Sequence, residues 1–246
     1  MEKTSDTIYG IHAVSLAIRA GSGIRLRLRS GQLNRRHEAL LELAQAQGCP
    51  ITRDFEPPSN ESIAHQDAAL EVKSPGFRSE GDLIPLLEVC REQERKPVVL
   101  VLDGVTDPRN FGACLRSAAS FGVDAVVVPK DRSAPLSEAA VKTASGAAYA
   151  VPVFRVTNLA RTLKAMKKTG LWVVGTVLGG NETLNSTDLT GGIAVVMGSE
   201  GLGLRQKTRE NCDFLVQIPA PYPDFSLNVS VATGICLYEL NRQRLG

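Results

Sequence analysis

The sequence predicts an α/β protein in which a parallel sheet, covered by helices on both faces, follows a smaller α/β unit. Two observations lead to this fold class. From Pro97 onward, short runs of β-branched residues alternate with helical segments. Runs that are apolar at every position are typical of strands buried on both faces of a parallel sheet. Before that point the chain contains one strictly alternating strand and two helical segments instead.

The smaller unit is predicted to span residues 1–73. Its expected elements are a helix near Ile11 to Arg19, a strand at Ile24 to Arg29, a helix near Arg35 to Gln47 and a short strand after Pro50. The stretch "SPGFRSEGD" has the composition of a linker. We therefore predict a linker and connecting helix at 74–96, and a larger domain at 97–246.

Six strands are predicted in the larger domain, at 98–102, 125–128, 151–156, 171–177, 193–197 and 214–218. Ligands of such sheets bind beyond the carboxyl ends of the strands. Three loops at these ends have unusual compositions: "DGVTDPRNFGACLRSA", "GSEGLGLR" and "PAPYPDFSLN". They follow the first, fifth and sixth strands, and they are the first places to search for a functional site.

Several function classes are disfavoured. All three histidines precede residue 66, so the larger domain has none for a Ser-His-Asp triad or a histidine-ligated metal. Neither a dinucleotide-binding glycine motif after the first strand nor a P-loop occurs. The five cysteines form no C-x-x-C pair, and no apolar run reaches the length of a membrane span. We expect a cytoplasmic protein with reduced cysteines and without a metal.

The alternating strand "IRLRLR" puts Arg25, Arg27 and Arg29 on one face. Three guanidinium groups at this spacing suit an RNA-binding ridge that contacts phosphates. A charged edge strand that resists aggregation explains the same pattern. The residues alone leave both interpretations open.

Polar residues in the three loops are candidate site residues. Asn110 can cap the helix that follows the first strand, with Arg116 near the second turn, although for this loop alone a cap and a surface arginine are the favoured explanation. Glu200 lies among glycines, which let a backbone approach a ligand closely. The last helix is apolar on almost every side, yet it opens on Ser226 and Asn228.

Taken together, "LDGVTDPRNFGACLRSA", "VMGSEGLGLR" and "SLNVSVATGICLYE" resemble the three signature motifs of SpoU-type RNA 2'-O-ribose methyltransferases of the SPOUT superfamily. The likeness extends from Pro97 to the C-terminus. The segment "IYGIHAV" and the small unit after it are similar to the ribosomal-protein-like RNA-binding domain of the 23S ribosomal RNA guanosine 2'-O-methyltransferase subgroup.

The resemblance implies a deep trefoil knot at the C-terminus, a homodimer, and S-adenosyl-L-methionine bound by backbone groups of the knot loops, without a metal. In the knot, the last helix would be clasped by the fold, and Gly234 would permit close packing against it. The implied cofactor-binding residues are Thr176, Val177, Gly179, Met197, Gly198, Gly201, Ile218, Pro219, Ser226, Leu227 and Asn228.

The implied catalytic residues are Asn110, Arg116, Glu200, Ser226 and Asn228, with Arg116 as the base. Physical chemistry opposes that role, because a neutral guanidinium near pH 7 costs roughly 7 kcal/mol. We expect Arg116 to bind phosphate and to stabilise the developing alkoxide. Proton loss would then be assisted by Ser226, Asn228 or water.

The chain departs from the family pattern at two places. "PAPYPDF" before "SLN" is bulkier than usual, and Asp67 stands where the subgroup tends to have glycine after His-Gln. The expected activity is methylation of a guanosine ribose in 23S ribosomal RNA. A transfer RNA substrate is an alternative, as is a non-catalytic RNA-binding or ribosome-assembly protein with this fold.

Overall fold

The chain divides into two compact units in a computed structural model, which describes residues 5–59, 64–180, 182–222 and 226–246. The smaller unit consists of the chain up to Gly76 together with Ser145–Ala150. The larger unit contains Phe77–Ala144 and Val151–Gly246. The sequence suggested a linker and connecting helix at 74–96. Residues 77–96 of this segment lie in the larger unit.

The smaller unit is a four-stranded sheet with helices. Its strands β1 to β4 have the spatial order β1-β4-β2-β3, with β4 antiparallel to both of its neighbours and β3 parallel to β2. The strands are Ser5–Tyr9, Gly23–Leu28, Ile51–Thr52 and Ala68–Lys73, and the helices α1 and α2 are Ile11–Arg19 and Arg35–Ala46. The sequence predicted β2, β3 and both helices, and it missed β1 and β4.

The larger unit contains an eight-stranded, all-parallel sheet with the order β10-β12-β9-β11-β6-β7-β8-β5. The strands β5 to β12 are Phe77–Arg78, Val98–Asp103, Ala125–Pro129, Val153–Val156, Trp172–Thr176, Glu182–Thr183, Ile193–Gly198 and Phe214–Gln217. All six predicted strands are present. The two strands that the sequence missed, β5 and β10, have two residues each.

Helices accompany this sheet. Helices α3 to α9 are Leu83–Glu92, Pro108–Ser120, Glu138–Ala144, Ala147–Ala150, Leu159–Lys168, Gln206–Arg209 and Val229–Leu245. All of them lie in the larger unit except α6, which belongs to the smaller unit. Leucines of α3 and α7 share a buried cluster with alternate residues of β6, including Val99 and Val101. Leu100 and Leu102 point to the opposite face and are equally buried, so the sheet is covered on both sides.

Helix α9 differs from the expectation of burial on all sides. Val231 and Tyr238 are 51% and 58% exposed in the single chain, although Cys236 and Leu237 are fully buried. The expectation that Gly234 permits close packing is also wrong among the described residues of the single chain, because an added Cβ would meet only Ser117 Oγ there, at 3.8 Å. One face of α9 therefore remains open.

Two further features bear on function. Within the described residues, no helix combines the length and apolar character that crossing a bilayer requires. In the same part of the chain, no group of three or more His, Cys, Asp or Glu side chains is arranged to hold a metal ion.

Candidate active site at the carboxyl edge of the large sheet

The three unusual loops meet at one edge of the eight-stranded sheet. Strands β12, β9, β11 and β6 are consecutive neighbours and run parallel. They end at Gln217, Thr176, Gly198 and Asp103. Because the carboxyl ends of parallel strands share an edge, the segments that follow them lie side by side. Residues far apart in sequence can therefore form one site.

Asn110 lies in the first turn of α4, which begins after the loop that follows β6. The sequence suggested Asn110 as the cap of α4, and this interpretation was wrong. Asp107 is the cap, and its Oδ1 accepts hydrogen bonds from the backbone N–H groups of Arg109, at 2.6 Å, and Asn110, at 3.0 Å. An aspartate at this position satisfies the unpaired N–H groups of the first turn. The Asn110 side chain is thus available for other contacts.

The loop after β11 carries Glu200 on a closed turn. Ser199 and Gly203 exchange two backbone hydrogen bonds, of 3.1 and 3.0 Å. Gly201 and Gly203 have φ values of 84° and 64°, in the region that favours glycine. Gly198 packs directly on this turn, because an added Cβ would lie 2.3 Å from the carbonyl carbon of Gly203. Glu200 is held at the tip and is exposed.

The start of α9 presents Asn228. Its Oδ1 caps the helix by accepting hydrogen bonds from Ser230 N, at 2.9 Å, and Ser230 Oγ, at 2.6 Å. Asn228, and not Ser226 two residues earlier, is therefore the N-cap of α9. The cap uses the carbonyl oxygen of the Asn228 side chain, so its Nδ2 group faces other partners.

Asn110, Glu200 and Asn228 form one hydrogen-bonded network. Glu200 Oε1 accepts from Asn228 Nδ2 at 2.7 Å, from Asn110 Nδ2 at 3.0 Å and from the Val229 backbone N–H at 3.4 Å. Asn228 Nδ2 also donates to Asn110 Oδ1 at 3.0 Å. The network joins all three motifs. It fixes the orientation of both amides at a surface that ligands can reach.

Arg116 and Ser226 stand outside this network. Arg116 is exposed on α4, six positions after Asn110, so the two residues are about 120° apart around the helix axis. Its carbonyl accepts from Ser120 Oγ at 3.0 Å, and within the described residues its guanidinium makes no hydrogen bond or ion pair. Ser226 is exposed, and its neighbours Pro223–Phe225 lie outside the described residues. The unusual bulk expected there, at Pro221 to Phe225, is thus described only as far as Tyr222.

The expected cofactor-binding segments follow neighbouring strands at the same edge of the sheet. Thr176 Oγ1 donates to Val196 O at 3.1 Å and contacts Met197 Sδ at 3.6 Å, which ties the ends of β9 and β11 together. The Val177 N–H donates to Val216 O at 2.9 Å. Beyond β12, Ile218 and Pro219 belong to the wall of a groove of about 470 Å³.

The remaining expected residues, Gly179 and Leu227, follow β9 and precede α9. Gly179 has a φ of 68°. Leu227 is a partly exposed apolar side chain next to Asn228, and Leu178 beside Gly179 is exposed as well. A small-molecule site combines apolar surface with a few placed polar groups, and this edge offers both.

Sequence reasoning missed a buried ion pair beneath the site. Asp103, at the end of β6, is 0% exposed and pairs with Arg205. The Arg205 backbone N–H donates to Asp103 Oδ2 at 3.1 Å. The available signal was a charged residue ending an otherwise apolar strand in "VLVLD". Nothing in the sequence identified its partner 102 residues away.

Buried cysteine near the network is not a reactive group. Cys114 Sγ lies 3.5 Å from Thr233 Oγ1 between α4 and α9. Burial raises the pKa of the Cys114 thiol to about 11. The thiol therefore remains protonated at neutral pH, and nucleophilic catalysis by this group is disfavoured.

The arginine ridge of the smaller unit is partly neutralised. The predicted alternation is confirmed, with Leu26 and Leu28 buried and Arg25 exposed. Glu71 lies opposite Arg25 on β4. The pKa of Asp54 is lowered, chiefly by a hydrogen bond from the Thr52 hydroxyl and further by nearby arginines of the ridge. The ridge thus carries acidic neighbours that the strand alone did not reveal.

Asp67 bonds the third arginine of the ridge. Arg29 Nη1 lies 3.2 Å from Asp67 Oδ2, and Arg29 Nη2 donates to the Gln32 carbonyl at 3.1 Å. Asp67 has a φ of 53°, a backbone region that favours glycine but that aspartate tolerates better than most residues. The departure from the family pattern therefore has a structural consequence, because it gives Arg29 an internal partner.

Comparison with known proteins identifies similar sequences. Residues 97–238 match the model of the SpoU rRNA Methylase family. The chain is 46% identical over 245 residues to a protein of Escherichia coli K12 named 23S rRNA (guanosine-2'-O-)-methyltransferase RlmB, covering 98% of this chain and 99% of that protein. A relative of the same name from Coxiella burnetii is 44% identical, covering 97% and 96%.

Solved structures are similar as well. The SpoU methyltransferase AviRb from Streptomyces viridochromogenes, in complex with AdoMet, has a TM-score of 0.70 at 24% identity, covering 98% of this chain and 91% of that one. The TrmH/SpoU tRNA modifying enzyme of A. aeolicus has a TM-score of 0.55 at 29% identity, covering 68% and 84%. The first likeness shows a shared fold.

Proposed function

The chain belongs to the SpoU rRNA methylase family, and from this premise we propose that it methylates the 2'-hydroxyl of a guanosine ribose in 23S ribosomal RNA, using S-adenosyl-L-methionine. The observation that carries the proposal is 46% identity, across 98% of the chain, to a relative named for this reaction. A protein with this activity would meet its substrate in the cytoplasm.

The carboxyl edge of the large sheet is the proposed binding site for S-adenosyl-L-methionine. The segments after β9, β11 and β12 would hold it, chiefly through Thr176 to Gly179, Met197 to Gly201, and Ile218 with Pro219. The fit rests on glycine-rich backbone after β9 and β11, which lets a ligand approach closely, and on the groove beyond β12 whose wall includes Ile218 and Pro219. The bound molecule supplies an activated methyl group. Alignment and proton removal are left to the protein.

Asn110, Glu200 and Asn228 are proposed to position the ribose. The network is preorganised, so little reorientation is needed when the substrate arrives. Asn228 is a poor proton acceptor, because its carbonyl oxygen already caps α9. Assistance of proton loss is therefore assigned to Ser226 or to water. This narrows the three candidates that the sequence offered.

Arg116 is proposed to bind a substrate phosphate and to stabilise the developing negative charge. An exposed guanidinium without a recorded partner among the described residues suits this role, because it can pair with phosphate in two directions. Arg116→Lys should lower turnover, since lysine does not reproduce the planar fork. Near-normal turnover with an unshifted pH profile would contradict this assignment.

A methylation assay tests the proposal. Purified protein, radiolabelled S-adenosyl-L-methionine and a transcript of 23S ribosomal RNA should give one 2'-O-methylguanosine, detected by nuclease digestion and mass spectrometry. The matched control is the same transcript with 2'-deoxyguanosine at the modified position, which should accept no methyl group. Methylation of transfer RNA, without methylation of the ribosomal transcript, would identify transfer RNA as the substrate instead. Absence of calorimetric cofactor binding by folded protein would favour a non-catalytic RNA-binding protein.

The smaller unit is proposed to bind RNA through Arg25, Arg27 and Arg29. Reversing all three charges should weaken RNA affinity and flatten its salt dependence, while cofactor affinity stays unchanged. Asp67→Gly should do the opposite, because it frees Arg29 from its ion pair. If the salt dependence of RNA affinity is unchanged in both variants, the strand is a charged edge strand that does not bind RNA.

We propose a homodimer that forms through the open face of α9. Val231, Tyr238 and Leu245 are exposed large apolar residues at helical spacing on this face. Val231→Asp with Tyr238→Glu should shift the protein to a monomer in analytical ultracentrifugation. Val89→Asp is the control, because Val89 is similarly exposed but lies on α3. A wild-type monomer would contradict the proposal.

The deep trefoil knot of the family is also part of the proposal. In support, α9 runs from Glu200 at one edge of the sheet to the loop before β11 at the other, where Gln243 and Leu189 share a hydrogen bond of 2.9 Å. Arg244 Nη1 also donates to the Lys96 carbonyl at 3.0 Å. An experimental structure with a continuous, untied chain path would refute the knot.

A further inference from the structure

Glu200 must be held in register with two asparagines, although its loop is exposed and rich in glycine. We infer that Asp103 is a positioning residue for Glu200 and that it acts through Arg205. The kinetic part of this inference rests on the proposed methyl transfer, since it concerns how the network is kept in place. Its structural part can be tested without the reaction.

Asp103 holds both the backbone and the side chain of Arg205. It ends β6, in register with Gly198 at the end of β11. Its Oδ2 accepts the Arg205 backbone N–H at 3.1 Å, and its Oδ1 accepts Nε and pairs with Nη2. The carboxylate is wholly buried, whereas the Arg205 side chain is 39% exposed. This contact fixes where the loop ends.

The other end of the loop is fixed by the sheet itself. Gly198 is paired with β6, and the Ser199–Gly203 hydrogen bonds close the turn between the two fixed points. Gly104, directly after Asp103, also packs against the turn, because an added Cβ would lie 3.3 Å from Ser199 Cβ. Glu200 therefore projects from a turn that is anchored on both sides and that Asp103 anchors at its downstream end.

A stability role alone explains this pair poorly. Burying an ion pair costs desolvation energy, and apolar residues of similar volume often stabilise a protein as well or better. An orienting role explains why the charge lies directly beneath the loop with the network residue. Asp213 provides a contrast, because it also accepts a backbone N–H, from Val173 at 2.9 Å, and pairs with Lys167 at 2.5 Å. Asp213 lies where β12 begins, and it anchors no part of the network.

A double-mutant cycle tests the inference. Asp103→Asn is made in the wild-type background and in a Glu200→Gln background, and single-turnover methyl transfer to ribosomal RNA is measured at saturating RNA and S-adenosyl-L-methionine. We expect Asp103→Asn to lower the rate about tenfold to a hundredfold in the wild type. In the Glu200→Gln background it should have little further effect, because the group that it positions is already altered. Asp213→Asn should leave both rates unchanged.

Hydrogen exchange gives a readout that needs no reaction. Asp103→Asn should raise amide exchange within 199–205 at least severalfold, and Asp213→Asn should not. Arg205→Lys, a change at a partly exposed side chain, should partly retain the rate if Asp103→Asn does not fold. Rate losses that multiply in the double mutant, or unchanged exchange in the loop, would overturn the inference. A wild-type protein that transfers no methyl group would instead refute the proposed function.

Discussion

The two edges of the eight-stranded sheet use the same chemical device for different ends. At the amino edge, Asp124 accepts the Val98 N–H at 2.8 Å and pairs with Arg95, and Asp213 does the same with Val173 and Lys167. At the carboxyl edge, Asp103 accepts the Arg205 N–H and pairs with its side chain. The amino-edge pairs join strand starts to their neighbours. The carboxyl-edge pair anchors a loop.

The edges also differ in what they leave exposed. The carboxyl edge presents exposed apolar side chains beside the amide and carboxylate network, including Leu178 and Leu202, which is 91% exposed. At the amino edge, the exposed Trp172 packs against Phe214 in a tilted arrangement, with ring centroids 5.7 Å apart and an interplanar angle of 54°. Exposed apolar surface next to oriented polar groups is typical of a ligand site. We therefore expect the amino edge to contribute stability, and the carboxyl edge is the proposed ligand site.

The largest expected effect comes from the network itself. Glu200→Ala should lower turnover by about 10²–10³-fold, because both asparagines lose their shared acceptor. Its melting temperature should change little, since Glu200 is exposed. Glu210→Ala is the control, because Glu210 is a nearby exposed glutamate that accepts from Gln206 Nε2 at 3.0 Å. Steady-state kinetics measure both variants. Turnover of Glu200→Ala within twofold of wild type would remove the network from the mechanism.

Gly198→Ala should have the next largest effect. Its Cβ would lie 2.3 Å from Gly203 C, so the turn has to shift, at a cost of roughly 1–3 kcal/mol. We expect cofactor binding to weaken at least tenfold in calorimetry. Gly191→Ala, on the loop before β11, should bind normally, because the nearest atom to its Cβ is Trp172 Cδ1 at 3.8 Å. Equal cofactor affinity in both variants would contradict the assignment of the cofactor site to the carboxyl edge.

Asp124→Ala should sharpen the contrast between the edges by affecting stability alone. It leaves the Val98 N–H without its side-chain acceptor and Arg95 without its partner. Loss of the acceptor should cost about 1–3 kcal/mol of unfolding free energy. Denaturant unfolding measures that loss, while turnover per folded molecule should equal wild type. A rate loss without a stability loss would break the comparison.

The smallest effect concerns pH and Glu80, which clamps the end of β8. Hydrogen bonding from the Thr157 backbone N–H, at 2.9 Å, lowers the pKa of Glu80, and Arg161 contributes further. A lowered pKa in the folded state contributes stability above the ordinary glutamate pKa, and this contribution is lost as pH falls through the folded value. Glu80→Gln should therefore melt lower than wild type at pH 7, with a gap that narrows below about pH 4. A gap independent of pH would contradict this assignment.

Much of the sheet could be predicted, because its six main strands are continuous apolar runs. Strand β4, "AALEVK", lacks a β-branched pattern, and β10 has only two residues that pair with β12. Both segments are strands because they pair with neighbouring strands, and a local sequence pattern does not reveal such pairing. Strand β1 carries polar residues and is likewise defined by its pairing with β4.

The candidate site was predictable in part. The motifs named Asn110, Glu200 and Asn228, but Asn110 was predicted to cap α4, a role that Asp107 fills in the structure. The contact between Asp103 and Arg205 joins residues 102 positions apart, and no spacing rule reports it. The exposure of one face of α9 could not be predicted either, because the sequence places apolar residues on almost every side of that helix. The sequence thus identified the polar groups of the site, whereas only the structure shows their hydrogen-bond and ion-pair partners.

A crystal structure with S-adenosyl-L-methionine tests the division between the edges most directly. The account predicts that the cofactor lies at the carboxyl edge, against the backbone of Thr176 to Gly179 and Met197 to Gly201, with the Asn110–Glu200–Asn228 network beside it. Cofactor density at the amino edge, near Trp172, or in the smaller unit would contradict the account.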